Sequence, residues 1–292
     1  MPLFREGISG DSLSLASYHL KMIPNGTEEC LATGTGFFYE LENTYYLITN
    51  GHNVTRINPE TNLRTCSSIA FPSKIRLSLR YFIPDSEIKE KGYVGHKSVD
   101  IDLYDDEDLI KPTWFVHEKF QYNVDVIAIP FIKKDELPIG YIINPINSFN
   151  FQEQFYLEPS DDVFVIGYPF ALNGGKQTPI WKRGTIATEP SINLDGFPKF
   201  LIDTSTREGM SGSPVILQRV GHHSFGTNGQ ITNKDIFGRI RAFVGIYSGR
   251  IGVNKDDTDN NFKTQLGIVW KKDVIEEILR AKIIGSIEFQ NM

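Results

Sequence analysis

The residues 206–215 read Thr-Arg-Glu-Gly-Met-Ser-Gly-Ser-Pro-Val. A serine hydroxyl is a weak nucleophile, so acyl transfer needs one presented on a tight turn beside backbone N–H groups that can hold a developing oxyanion. Gly209 and Gly212 flank Ser211 and tolerate the positive φ such a turn requires, and Pro214 helps launch the next strand. In Tyr-Tyr-Leu-Ile-Thr-Asn-Gly-His-Asn-Val (45–54) a strand ends at a Gly-His turn. Neutral imidazole is the usual base for a hydroxyl, and His52 is placed to serve. In Asn-Val-Asp-Val-Ile-Ala-Ile-Pro-Phe (123–131) an acid heads an apolar run. A carboxylate buried there needs strong donors, and a histidine N–H would supply one. Taken singly, each segment also reads as ordinary structure: a Gly/Ser turn, a structural histidine, a solvated aspartate.

The elements that must position these residues are mostly β. Short runs rich in β-branched and aromatic residues recur between Gly, Pro, Asn and Asp clusters, which predicts strands over 15–23, 31–40, 44–49, 74–83, 110–117 and 124–130. A second set covers 162–168, 179–187, 199–204, 213–217, 240–247 and 265–270. Two groups of about six antiparallel strands imply an all-β chain of two six-stranded barrels, because closure removes sticky sheet edges. The Pro-bearing stretch 133–160 serves as the connection, dividing 1–140, with His52 and Asp125, from 141–292, with Ser211. Only 272–282 has helical spacing, with Val274, Ile275, Ile278 and Leu279 on one face. It reads as a C-terminal helix packed on a barrel. The polar stretches 218–235 and 250–264 read as long hairpin loops, where specificity usually lives.

Composition narrows the function. The 292 residues carry 30 Lys+Arg against 36 Asp+Glu, a formal charge of −6, which argues against a generic nucleic-acid surface. The start, Met-Pro-Leu-Phe-Arg-Glu-Gly, shows no secretory pattern, and no apolar run is long enough for a membrane span, so a cytoplasmic protein without membrane contact is expected. The two cysteines, Cys30 and Cys66, form no CxxC pattern and read as reduced structural thiols. His222 and His223 are adjacent, without the spacing of a metal pair. Gly174-Gly175-Lys176 lacks the P-loop pattern and is followed by Pro179 and a β run, so it reads as a turn. Neither metal nor cofactor is expected.

Read together, the three segments resemble the trypsin/chymotrypsin-like serine peptidases, in the chain order His52, Asp125, Ser211. The His segment matches Leu47-Ile48-Thr49-Asn50-Gly51-His52, the Asp segment Asp125-Val126-Ile127-Ala128-Ile129, and the most specific one Gly209-Met210-Ser211-Gly212-Ser213-Pro214. The resemblance covers roughly residues 30 to 280, with Val163 to Pro169, Lys182 to Ile186 and Phe243 to Gly249 resembling further strands of non-secreted and bacterial members. It implies a serine endopeptidase in which His52 takes the proton of Ser211, Asp125 fixes the imidazole, and the N–H groups of Gly209 and Ser211 hold the oxyanion. It places Ser205, Thr206, Ser248, Gly249, Arg250 and Gly267 around the substrate. No acid stands at the base-of-pocket position, which disfavours cleavage after Lys or Arg and leaves a small, polar or acidic residue. Met210 replaces the aspartate used by secreted zymogens, and Asn53 the cysteine that follows the family's histidine. The rival reading is a catalytically silent or partner-gated binding module of the same fold. The implied partner is a protein or peptide substrate; an activating partner is compatible, and the oligomeric state is not encoded.

Overall fold

The computed structural model describes residues 10–58, 63–64, 70–84, 92–152, 156–223, 235–251 and 265–291. The first half contributes β1 (Ser17–Pro24), β2 (Ala32–Leu41), β3 (Thr44–Thr49), the one-turn α1 (His52–Thr55), β4 (Ile57–Asn58), β5 (Leu63–Arg64), β6 (Pro72–Pro84), β7 (Gly92–Asp102), β8 (Phe115–Val116), β9 (Ile127–Lys133) and β10 (Tyr141–Ile142). The second contributes β11 (Asp162–Gly167), β12 (Ile180–Ile186), β13 (Lys199–Asp203), β14 (Pro214–His223), β15 (Ile236–Arg250), β16 (Leu266–Lys271), α2 (Asp273–Ala281) and β17 (Ile283–Ile284).

Strands β11 to β16 close a barrel in the order β11-β12-β13-β16-β15-β14. Eight strands of the first half and β17 from the chain's end form a nine-stranded sheet ordered β10-β6-β1-β2-β3-β9-β8-β17, with β7 paired to β6. Side-chain alternation sorts the apolar residues into separate cores. On β3, Tyr45 and Leu47 join Leu20, Phe38, Leu77, Ile101 and Ile129 inside the first sheet. Tyr46 and Ile48 point the other way, toward Phe37, Ile166, Phe243, Trp270 and the α2 face of Val274, Ile275, Ile278 and Leu279. A third cluster, including Val165, Phe200, Met210 and Val269, fills the second barrel. The middle cluster glues the halves together and fixes the cleft that carries the candidate site.

The chain ends cross between the halves. Asp11 receives a two-pronged contact from Arg241 (2.5 and 2.9 Å), and the Trp181 indole N–H donates to Ser14 Oγ. At the other end β17 pairs with β8, and Glu277 of α2 meets the buried His117 at 2.8 Å. A cut near residue 140 would therefore sever β10, α2 and β17 from the sheet they pack on.

Three regions differ from the sequence reading. Gln218 to His223, expected in a loop, continues β14, which pairs with β15 from Pro214↔Ile246 out to His223↔Ile236. Strand β7 was not expected; among the described residues it pairs only with β6, and its polar sequence suits an edge. Within the expected strand 110–117, only Phe115–Val116 is extended into a ladder. Most of the second proposed loop (252–264) and Cys66 lie outside the described residues, whereas Cys30 is an exposed free thiol that donates to the Ala32 carbonyl (3.0 Å). Among the described residues, no helix is long and apolar enough to cross a membrane.

Candidate active site

Register brings the first two residues together. Thr49 pairs with Ile127, so Asn50, Gly51 and His52, just past the end of β3, face Asp125, just before the start of β9. Asn50 Nδ2 donates to the Asp125 carbonyl (2.6 Å), the His52 backbone N–H donates to Asp125 Oδ1 (2.8 Å), and His52 Nδ1 lies 2.6 Å from Oδ2. The Ser248 hydroxyl adds a third donor to the carboxylate, 2.5 Å from Oδ2. Asp125 is only 1% exposed, and these donors offset the loss of its hydration. A proton on Nδ1, hydrogen-bonded to the carboxylate, leaves Nε2 as the free acceptor.

Ser211 sits on the turn before β14, closed by Ser213 N–H donating to the Met210 carbonyl at 3.0 Å. Buried Met210 anchors this turn in the second barrel. Both halves grip it. Thr35 N–H donates to the Ser211 carbonyl (2.8 Å) and Thr35 Oγ1 to the Gly209 carbonyl (2.8 Å) from β2, while Gly212 N–H donates to the Tyr247 carbonyl (2.9 Å) of β15. Asn53 Nδ2 lies 3.4 Å from the Ser211 carbonyl. The Ser211 hydroxyl donates to the Ser248 carbonyl at 3.3 Å rather than to His52. Ser248 thus touches Ser211 through its main-chain carbonyl and Asp125 through its hydroxyl, so one residue links the serine to the carboxylate that His52 meets.

Gly209 has φ +90°, and a Cβ there would stand 2.4 Å from the Tyr168 carbonyl. The Glu208 carbonyl accepts from Phe170 N–H (2.7 Å), which turns the N–H of the same peptide, that of Gly209, the opposite way. Among the described residues, none accepts from the Gly209 or Ser211 N–H.

The resemblance-derived substrate residues lie on neighbouring segments. Gly249 and Arg250, at the end of β15, pair with Ile268 and Gly267. Gly267 lies against the Tyr247 ring, whose hydroxyl hydrogen-bonds the buried Thr206 hydroxyl. Burial pushes the Tyr247 phenol up to about 12, so it stays neutral. Ser205 Oγ lies 3.4 Å from Lys182 Nζ. Thr35 carried no motif; Lys182, Tyr247 and Ser248 lay in segments that resemble family strands, but nothing in those segments singled out the Lys182 ammonium, the Tyr247 phenol or the contact of the Ser248 hydroxyl with Asp125, although Lys182 shares its strand face with the inward-facing Gly184 and Ile186. Gly174-Gly175-Lys176 forms a turn, with Thr178 N–H on the Gly175 carbonyl (2.9 Å). No group of three metal-ligating side chains occurs among the described residues.

Residues 34–222 match the family model described as a trypsin-like peptidase domain. The chain belongs to this trypsin-like peptidase family. No curated protein matches it. Among solved structures it is similar to the inactive form of the Rv3671c protease of M. tuberculosis, at 16% identity and TM-score 0.42, covering 92% of this chain and 89% of that one. It is also similar to the HtrA-type protease AlgW, solved with a tripeptide, at 13% identity and TM-score 0.44, covering 92% of this chain and 60% of the other.

Proposed function

We propose that the chain is a serine endopeptidase using Ser211, His52 and Asp125. The observation that carries this reading is Ser248 joining Ser211 to an Asp125 already bonded to His52. Rotation of the Ser211 side chain, a picosecond-to-nanosecond event for an accessible hydroxyl, would turn its proton toward the free imidazole nitrogen. His52 then takes that proton as Ser211 Oγ attacks the scissile carbonyl, and the N–H groups of Gly209 and Ser211 receive the oxyanion. The imidazolium protonates the leaving amine, and the neutral ring next activates water to release the acyl group. A fluorophosphonate probe should form one adduct, mapped to Ser211, that His52→Ala abolishes. A chain that never labels supports the silent-module reading instead, and labelling that begins only after a partner is added supports gating.

The substrate preference we infer is for an acidic residue before the cut. Lys182 projects from an inward-facing position of β12 to Ser205, and among the described residues no carboxylate pairs with it. Tyr247, between Thr206 and Gly267, makes the neighbouring floor polar and closed. Lys182→Gln should lower kcat/KM for a Glu-containing peptide relative to its Gln counterpart by roughly tenfold, the worth of one charge-assisted hydrogen bond. An unchanged ratio would remove Lys182 from the pocket.

A further inference from the structure

A cavity of about 340 Å³, apart from the candidate active site, is walled by one face of the first sheet and by the turn after β11. Alternate residues of three adjacent strands supply its surface: His19 and Lys21 on β1, Arg76, Ser78 and Arg80 on β6, and His96 and Ser98 on β7. Asn173 and Gln177 close it from the turn, and no carboxylate lines it. Arg76 is engaged by Asp100 and Glu28. Arg80 is not so balanced. Only 5% exposed, it donates to the Leu15 carbonyl (2.6 Å), lies over the Tyr18 ring and meets no acid among the described residues. A buried cation without a counter-charge is costly to the fold. Lys21 likewise has no acidic partner among the described residues, and the buried His19 Nε2 has no hydrogen-bond partner.

We propose that this cavity is a binding site for a phosphate-bearing small molecule, held by Lys21, Arg80, His19 and His96. Guanidinium, ammonium, imidazole and hydroxyl donors on one concave wall suit tetrahedral oxygens, and the volume exceeds what one phosphate group fills. The electrostatics agree. Burial, and then Lys21, holds His19 below the usual imidazole range; burial, and then Arg80, does the same to His96. A bound anion opposes both effects, so each ring would titrate at higher pH when the site is filled.

The wall also touches the candidate active site. Tyr168 and Ala171 line the cavity, and Phe170 between them donates to the Glu208 carbonyl that orients Gly209 N–H. A ligand steadying this turn would favour the oxyanion-binding arrangement, a consequence that rests on the peptidase reading.

Calorimetry on the full chain at fixed ionic strength, with inorganic pyrophosphate as probe, should show one site. Lys21→Gln, a change at an exposed position, should weaken it at least tenfold, and histidine NMR should show both ring titrations moving up on addition. Absence of heat at 1 mM pyrophosphate, equal binding by the Lys21→Gln variant, or binding of citrate in preference to pyrophosphate would each overturn the assignment. Pyrophosphate should also raise the fluorophosphonate labelling rate of the wild type, but not of Lys21→Gln. If nothing labels under any condition, the peptidase reading fails while calorimetry and NMR still decide the anion site; labelling that pyrophosphate leaves unchanged overturns the coupling.

Discussion

Replacing Ser211 by alanine is expected to lower peptide hydrolysis by roughly 10⁴- to 10⁶-fold and to leave the melting temperature nearly unchanged. The loss follows from the proposed chemistry: without Oγ no acyl-enzyme forms, and water must attack with only the oxyanion donors to assist. The fold should tolerate the change because the Ser211 hydroxyl makes one long hydrogen bond, to the Ser248 carbonyl at 3.3 Å, while the grips on the turn use main-chain atoms. Steady-state hydrolysis of a peptide library, with thermal denaturation of both proteins, checks both halves of the expectation. Activity retained within tenfold would move the nucleophile elsewhere.

Gly212→Ala should be among the most damaging single-atom additions in the chain. The residue has φ +87°, and a Cβ would stand 2.0 Å from the Thr35 carbonyl and 2.5 Å from Thr49 Oγ1. The first of these is backbone of a central strand and cannot swing aside. Left-handed geometry costs about 1–2 kcal/mol for an L side chain, and the overlap adds to it, for a total of roughly 3–5 kcal/mol. In a chain of 292 residues that corresponds to a fall in melting temperature of roughly 5–8 °C. The same overlap would push the Ser211 turn off Thr35, so labelling should drop together with stability. A variant that melts like the wild type would show that Thr35 does not press on the turn. Gly26→Ala is the contrast: that glycine also has positive φ (+72°), but a Cβ there meets nothing within 4 Å, so only the backbone cost remains.

Strands with alternating or continuous apolar residues were legible because their side chains meet a core. Thr44–Thr49 was bounded to the residue, since Tyr45 and Leu47 face one cluster while Tyr46 and Ile48 face another. Strand β7 was illegible for the opposite reason: it is an edge, rich in residues that face water, and its pairing with β6 rests on main-chain hydrogen bonds that leave little trace in residue type. The outer ends of β14 and β15 extend past the barrel and lose the apolar pattern for the same reason. Of the candidate site, His52, Asp125 and Ser211 were legible as candidates, because a turn or the head of an apolar run marks each of them locally. Thr35 was not, because it supports the turn through a main-chain N–H and a short hydroxyl 174 residues from its Gly209 partner. Local composition carries no information about contacts at that range.

The sequence by itself determined the family, the β character and the order of the three chemical groups, because apolar periodicity and glycine-bounded turns are local properties of the chain. Only the tertiary structure decided that Ser248 joins the serine to the aspartate, that Lys182 reaches Ser205, and that Lys21, Arg80, His19 and His96 share one wall. Those meetings depend on strand register and on how two β halves pack, and register is set by the summed burial of many side chains rather than by any residue that takes part.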